Sequence, residues 1–189
     1  MPNSIILDTE TNGIGTFRPA KQRIVQWSWI TENGEERNYF IKGASEISSQ
    51  VPHDITVDFL ESSGIEFDDA LKQFLEDMKN SDRIVAHNAL FDVGCIRNEM
   101  KLRNYPEELR DYLFNYPVYC TMKHATDYCK IQTVRKDGVP SKSYKWPRLE
   151  ELYYKMYNTA PEGTLHDSLW DCRILRKCFQ KGIEEKVFR

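Results

Sequence analysis

Five short stretches of the chain are rich in apolar, β-branched and aromatic residues, and this pattern predicts the strands of a sheet. The second stretch carries Trp27 and Trp29 on one face. The turn Asn33-Gly34 joins it to the third stretch as a hairpin. The strands are predicted at residues 4–9, 23–30, 36–41 and 84–86, with a short one near 118.

Apolar residues spaced three and four positions apart predict the helices. The clearest stripe lies within residues 68–79 and includes Phe74, while Asn88 is a plausible N-cap for a later helix. Helices are predicted at residues 68–79, 88–100, 121–129, 147–156 (with Pro147 in its first turn) and 167–181, an irregular or helical connection at 52–64, and a loop or small hairpin at 131–144. Three strands followed by helices that alternate with short strands predict an α/β fold, with helices packed on a mixed sheet.

Length and composition are those of one globular domain spanning residues 1–189. The 189 residues are 40% hydrophobic and 29% charged, and no linker divides them. The apolar run at the start is too short for a signal or membrane segment, so an intracellular, cytoplasmic location is expected. The five cysteines lack the spacing of a zinc or redox motif and are expected to be reduced thiols.

The charge of the chain is negative overall but unevenly distributed. A formal net charge of −3 argues against a protein that tracks along a nucleic-acid duplex, since such proteins carry a strong basic excess. Residues 121–155, however, hold eight Lys or Arg against four Asp or Glu. Each of these lysines is by itself typical of a solvated surface, but together they are compatible with a rim that guides phosphates.

Acidic residues follow two of the predicted strands. Asp8 and Glu10 lie two positions apart at the end of the first strand, so both side chains project to one face, where they repel each other unless a cation neutralises them. Asp92 falls in the first turn of the helix after residues 84–86. Each feature has a plainer interpretation, namely a solvated strand end for the pair and a helix-dipole preference for Asp92.

A fourth acid, Asp171, lies five residues after His166. Residues five apart on a regular helix point about 140° away from each other, so the two side chains converge only if His166 precedes the helix. Asp167 is then expected to be the N-cap rather than a ligand. Four acids from separate segments and a nearby histidine suit hard cations such as Mg²⁺ or Mn²⁺, which prefer carboxylate oxygens. Two such ions about 4 Å apart can clamp a phosphodiester during in-line displacement.

Three segments resemble the exonuclease motifs of the DEDDh superfamily, and the likeness is greatest to the epsilon-like proofreading exonucleases of bacterial replicative polymerases. The segments are Ile6-Leu7-Asp8-Thr9-Glu10-Thr11-Asn12-Gly13, His87-Asn88-Ala89-Leu90-Phe91-Asp92 and His166-Asp167-Ser168-Leu169-Trp170-Asp171. Their order and approximate spacing agree with the family over most of the chain. The tyrosine variant of the superfamily would need Tyr at position 167, so His166 favours the histidine variant.

The resemblance also has departures and a further match. The segment Pro52-His53-Asp54-Ile55-Thr56 looks like the one that precedes the first long helix of the family. Cys120 stands where the family usually has Asp, and Asn12 and Ser168 replace the commoner Thr and Ala. None of these departures affects the acidic set, and effects on packing alone are expected.

The resemblance implies a ribonuclease H-like fold, a five-stranded mixed sheet flanked by helices, and two bound divalent cations, Mg²⁺ or Mn²⁺. By motif position, Asp8, Glu10 and Asp171 would bind one cation. Asp8 would bridge to the second, which Asp92 would support through water. His166 would accept the proton of the attacking water.

By the same resemblance, Thr11, Asn88 and Phe91 would contact the last nucleotide, with Phe91 as a stacking platform. The implied activity is 3′→5′ hydrolysis of DNA, preferably at single-stranded or frayed 3′ ends, with release of nucleoside 5′-monophosphates. Whether the protein acts alone or edits for a polymerase in trans is left open, as is its oligomeric state. No membrane partner is expected.

Three other interpretations are open at this stage. The same chemistry could act on RNA, as in oligoribonuclease or RNase T-like enzymes, because nothing in the sequence identifies a group that senses the 2′-hydroxyl. The chain could be a non-catalytic nucleic-acid-binding module, although all five positions carry competent residues. The acids could also have a purely structural role.

Overall fold

The computed structural model describes residues 2–13, 22–163 and 166–189. The described residues form five strands, β1 (Ser4–Thr11), β2 (Ile24–Ile30), β3 (Glu36–Phe40), β4 (Arg83–Ala86) and β5 (Val118–Cys120). One sheet contains them in the order β3-β2-β1-β4-β5. The first three strands pair antiparallel, whereas β4 and β5 run parallel to β1. The carboxyl ends of β1, β4 and β5 therefore meet at one edge of the sheet.

Helices cover both faces of this sheet. They are α1 (Val57–Ser63), α2 (Phe67–Met78), α3 (Ala89–Leu102), α4 (Glu107–Asn115), α5 (Thr121–His124), α6 (Thr126–Cys129), α7 (Leu149–Tyr157) and α8 (Ser168–Glu184). Buried residues of α2 and α3 form a core on one face of the sheet, and those of α7 and α8 form a second core on the other. The predicted five-stranded mixed sheet and α/β class are confirmed.

The second strand is buried along its whole length because it packs against helices on both faces. The rings of Trp27 and Trp29 lie 4.9 and 5.1 Å from the ring of Phe74 in α2. The alternate residues Gln26 and Ser28 are buried polar groups, so they require hydrogen-bond partners. The partners come from β3 and α8, and they include the segment that carries Asp171.

Several predicted helices differ from those observed. The helix α4 was not predicted, and its only buried residue is Leu113, which leaves almost no apolar stripe in the sequence. The helix predicted over 121–129 is interrupted at Ala125, which separates α5 from α6. The prediction that Pro147 lies in a first turn is wrong, because α7 starts at Leu149 after the N-cap Arg148.

The last helix is longer than the predicted helix at residues 167–181. The helix α8 continues to Glu184, and the following residues fold back so that the buried Phe188 packs against Gly182. A Cβ atom at Gly182 would lie 2.2 Å from the Phe188 ring, so this packing requires glycine. All five cysteines are buried free thiols. Among the described helices, none combines the length and apolar character needed to span a membrane.

The aromatic cluster under α2 gives a test of the fold. Phe74 is fully buried between two tryptophan rings. The substitution Phe74→Ala is expected to lower the free energy of unfolding by about 3–5 kcal/mol, because it removes the buried contacts with the two tryptophan rings and leaves a cavity. Phe74→Leu retains most of the volume and should cost less than about 2 kcal/mol. Chemical denaturation of both variants checks this, and equal small losses would contradict the assignment of Phe74 to the core.

Candidate active site

Two of the predicted acids lie at the carboxyl end of the central strand β1. Asp8 pairs with Ser28 and Glu10 with Gln26 of β2, so the two carboxylates project from the same face of the sheet. Both residues are half-buried. The neighbouring strand β4 is parallel to β1, so the helix that follows β4 begins beside these acids.

Asp92 lies in the first turn of that helix, α3, and is 2% exposed. Its Oδ1 accepts two hydrogen bonds from Thr9, one from the backbone N–H at 3.0 Å and one from the hydroxyl at 2.9 Å. Thr9 stands between Asp8 and Glu10 in β1. These bonds therefore fix the third carboxylate to the strand that carries the first two.

The fourth acid is positioned by the first turn of α8. Asp167 caps this helix, because its Oδ1 accepts from the backbone N–H groups of Leu169 and Trp170 at 3.0 and 3.1 Å. The backbone N–H of Ser168 donates to Gln26 Oε1 at 3.2 Å. The predicted capping role of Asp167 is confirmed, and it directs Asp171 towards the end of β1.

Ser168 also contacts the sheet through its side chain. Its hydroxyl lies 2.6 Å from that of Ser28, which in turn donates to Asn38 Oδ1 at 2.9 Å. One turn further along, the thiol of Cys172 donates to the carbonyl oxygens of Ile6 and Ser28 at 3.7 and 3.4 Å. The replacement of the commoner alanine by Ser168 thus adds a buried hydrogen bond between α8 and β2.

His166 precedes the helix, as its convergence with Asp171 requires. Its backbone has a positive φ of 67°, and its N–H donates to Asp171 Oδ2 at 3.3 Å. The residue is exposed. A ring nitrogen of His166 and carboxylate oxygens of Glu10 and Asp171 lie within 4.8 Å of one another. The left-handed turn at His166 therefore places the imidazole beside two of the predicted metal ligands.

Burial raises the pKa of all four carboxyl groups, and repulsion by neighbouring acids adds to this at Asp8, Glu10 and Asp171. Loss of solvation is the largest cause at each, and it contributes to raising the pKa of Glu10 to about 8, that of Asp92 to about 7 and that of Asp171 to about 6. The pKa of Asp8 lies well above its usual value. Burial is the largest cause, and the negative charges of the neighbouring acids are the second. At Asp92 the bonds from Thr9 act in the opposite direction.

This donor set fits divalent cations. Within the described part of the chain, no Lys or Arg nitrogen lies within 4 Å of a carboxylate oxygen of Asp8, Glu10, Asp92 or Asp171. Repulsion among them is therefore not relieved by a salt bridge there. Hard cations with oxygen ligands would relieve it.

The residues expected to contact a nucleotide occupy different environments. Asn88 is exposed, has a left-handed φ of 77°, and its side chain makes no capping hydrogen bond, so only its position as N-cap matches the prediction. Phe91 is 36% exposed beside Asp92. Thr11 is 6% exposed and its hydroxyl donates to the carbonyl of Gly13 at 2.8 Å. Contact of these three residues with substrate stays a prediction.

One residue of the site was not singled out from the sequence. His53 Nε2 donates to the carbonyl of Thr11 at 2.9 Å, while its Nδ1 is buried and has no hydrogen-bond partner among the described residues. A cavity of about 310 Å³ lies between His53 and His166, lined by Gln26, Phe40, Pro52, His53, Asp54, Ile55, Phe59, His166 and Asp167. The only feature of the sequence that could have indicated His53 was the resemblance of residues 52–56 to a segment of the DEDDh family.

The raised pKa values predict how stability changes with pH in metal-free protein. Because these carboxyl groups hold their protons more tightly when folded, their contribution is complete below their unfolded pKa near 4. It is lost as the pH rises through about 6 to 8, the range of the folded pKa values of Asp171, Asp92 and Glu10. The free energy of unfolding is expected to fall by more than about 1 kcal/mol across this range.

Equilibrium denaturation in EDTA measures this decrease. Asp92→Asn is the matched control, since its amide oxygen can still accept from Thr9 but one titrating group is removed. This variant should show a shallower dependence on pH. A free energy of unfolding that stays constant or increases from about pH 5 to 8 would contradict the electrostatic assignment.

Comparisons with known proteins bear on this site. No protein-family model matches the chain. It is 37% identical over 107 residues to DNA polymerase III subunit epsilon of Buchnera aphidicola subsp. Schizaphis graminum, a match covering 52% of this chain and 45% of the relative. The same subunit of Buchnera aphidicola subsp. Acyrthosiphon pisum is 37% identical over 110 residues, or 53% of this chain and 46% of the relative. The chain thus spans under half the length of these relatives.

Solved structures with a similar fold include cell-death related nuclease 4, with a TM-score of 0.63 and 17% identity over 98% of this chain and 64% of the other. A full-length 3′-exonuclease gives a TM-score of 0.67 and 13% identity over 98% of this chain and 62% of the other. At such identities the structures establish the fold alone. The chain thus has the ribonuclease H-like fold of these nucleases, and the predicted likeness to the epsilon type of exonuclease is confirmed.

Proposed function

We propose that this protein is a metal-dependent 3′→5′ exonuclease of the DEDDh type that releases nucleoside 5′-monophosphates. The observation that carries the proposal is the clustering of His166 with Glu10 and Asp171, whose ligand atoms lie within 4.8 Å of one another. The other two acids lie at the same place, because Asp8 belongs to the end of β1 and Asp92 is hydrogen-bonded to Thr9 of that strand. The similarity to epsilon subunits supports the same assignment.

The four carboxylates would hold two cations, Mg²⁺ or Mn²⁺. Asp8, Glu10 and Asp171 would bind one, with Asp8 shared and Asp92 on the side of the second. When bound, the cations would activate the attacking water and stabilise the charge that develops on the phosphate. The protein supplies fixed positions for these ligands, chiefly through the bonds of Thr9 to Asp92.

His166 would act as the general base. Its exposed ring at the rim of the acidic cluster would take the proton of the attacking water and pass it to solvent. The backbone bond from His166 to Asp171 keeps the ring beside the cluster without using a ring nitrogen. Because the ring is also close enough to ligate a cation, the two roles must be separated by experiment.

The 3′-terminal nucleotide would bind next to His166. The cavity of about 310 Å³ there combines aromatic side chains with His53 and Gln26. Asn88 and Phe91, exposed beside Asp92, are proposed as further contacts, with Thr11 as the least accessible of the three. Aromatic faces suit the stacking of any base, which fits an enzyme without sequence preference.

DNA is the proposed substrate, preferably as a single strand or a frayed 3′ end. The relatives named above are subunits of a DNA polymerase, which favours DNA and allows a polymerase as a partner in trans. Residues 1–189 are proposed to act as one exonuclease domain. RNA is the second candidate substrate, because no described residue is identified as a reader of the 2′-hydroxyl. A non-catalytic binding role is less consistent with five competent side chains in one cluster.

The activity is tested by incubation with 5′-labelled single-stranded DNA, matched duplex, mismatched duplex and RNA in Mg²⁺ or Mn²⁺. We expect stepwise shortening from the 3′ end with nucleoside 5′-monophosphates as products, fastest on single strands and mismatched ends. Shortening of RNA at a higher kcat/KM than DNA would reverse the proposed preference. No cleavage of any of these substrates by protein that binds Mn²⁺ would exclude the proposed activity.

The role of His166 is tested by His166→Ala with Asp8→Asn as a comparison. Loss of a general base should lower kcat by about 10²–10⁴. Mn²⁺ affinity, measured by titration calorimetry, should stay within a few-fold for His166→Ala and fall strongly for Asp8→Asn. If His166→Ala weakens Mn²⁺ binding as much as Asp8→Asn does, His166 is a ligand rather than the base.

A further inference from the structure

The segment between α6 and α7, residues 130–148, projects from the protein as an irregular hairpin, here called the basic arm. Its two sides join through the Val134–Pro140 bridge and through hydrogen bonds from Arg135 N to Val139 O at 2.8 Å and from Ser141 N to Thr133 O at 2.8 Å. Nearly all of its residues are exposed. The basic arm therefore contributes little to the core, and its surface is available to a partner.

The charge of the basic arm is opposite to that of the rest of the chain. It holds six basic residues and one acidic residue, in a protein whose net charge is −3. Lys136 and Lys142 are exposed and have no acidic partner within 4 Å in the described part of the chain, whereas Arg135 pairs with Asp137 at 3.0 Å. Exposed cations without an acidic partner, such as these two lysines, suit a polyanion.

Large apolar side chains alternate with these cations. Trp146 is 59% exposed and Tyr144 is 38% exposed. Among the described residues, neither ring stacks on another aromatic side chain. Exposed aromatic rings next to lysines are the combination by which proteins bind single strands, because bases stack on the rings while phosphates pair with the cations.

The base of the basic arm is attached to the edge of the sheet that holds the acids. His87 follows β4 and precedes Asn88, and its Nε2 donates to the carbonyl of Pro147 at 2.9 Å. Its Nδ1 lies 3.0 Å from the hydroxyl of Thr121, the first residue after β5. Burial lowers the pKa of His87 to about 4, so the ring is neutral and this link persists at physiological pH.

Ion pairs and a hydrogen bond attach the last residues of the basic arm to α7. Arg148 Nη1 lies 3.4 Å from Glu150 Oε1 in the first turn of that helix. Lys145 pairs with Glu151 at 2.6 Å, and Glu151 also accepts from the backbone N–H of Arg148 at 2.7 Å. These bonds fix the base of the arm to the first turn of α7.

We propose that the basic arm binds the single-stranded nucleic acid that leads to the active site, upstream of the nucleotide being removed. The proposal rests on the proposed exonuclease function for the identity of the polyanion. Trp146 stacks on a base beyond the two terminal nucleotides, and Lys142 and Lys136 meet phosphates further upstream. The basic arm would therefore act on long substrates and have no role in hydrolysis itself.

The test compares a long single strand with a dinucleotide that cannot reach the arm. The arm variants are Trp146→Ala and the pair Lys136→Glu with Lys142→Glu. The control variants are Tyr112→Ala, which removes a ring of α4 that is 53% exposed, and the pair Lys72→Glu with Lys101→Glu on α2 and α3. Binding of fluorescent oligothymidylate of about 16 nucleotides is measured by anisotropy with Ca²⁺ present to neutralise the carboxylates.

Both arm variants are expected to raise the Kd and the KM for the long strand at least about fivefold. Each lost phosphate contact should also reduce the slope of log K against log salt by about 0.7. Turnover of a thymidine dinucleotide should stay within about twofold of the unmodified protein, and the control variants should bind the long strand normally.

Long-strand binding by the arm variants equal to that of the controls would overturn the proposal and leave the arm to another partner, such as an acidic protein surface. A parallel loss of dinucleotide turnover would overturn it too, because the arm would then serve the hydrolytic site. Absence of any hydrolysis by the unmodified protein would refute the exonuclease function, while the anisotropy measurement would still decide whether the arm binds single strands.

Discussion

Repulsion between carboxylates is the constraint on which this site depends. Asp8, Glu10, Asp92 and Asp171 converge at the end of one strand, where burial removes the solvent that would screen their charges. Such an arrangement opposes folding unless protons or cations compensate it. Hydrogen bonds fix two of these acids, from Thr9 to Asp92 and from the backbone of His166 to Asp171.

Buried polar residues of the sheet make several of the bonds that position the site. Thr9 binds Asp92 through two donors, and the first turn of α8 is bound to β2 through Ser168. Gln26 and Ser28 can be polar in a strand that is buried on both faces because α8 and Asn38 satisfy them. The same packing that positions Asp171 also meets the hydrogen-bonding needs of the second strand.

The parallel arrangement of β1, β4 and β5 brings separate functional segments to one edge. Asp8 and Glu10 end the first of these strands, and His87 follows the second. Through His87 the same edge is joined to residues 130–148, which carry the positive charge that the acidic site lacks. Chemistry at a cluster of acids and attraction of a polyanion are thus separated in space, while a neutral histidine connects the two regions.

The sequence alone determined the strands, the sheet class and the capping role of Asp167, because these depend on local periodicity. Motif spacing singled out the four acids, whose role as metal ligands stays a prediction. The sequence did not determine α4 or the break at Ala125, since short helices with little buried surface leave a weak pattern. Only the tertiary structure placed the ring of His166 beside Glu10, because that contact needs a left-handed residue before α8 and the pairing of α8 with β2. The role of Pro147 was likewise decided by a contact 60 residues away, with His87, which no local pattern contains.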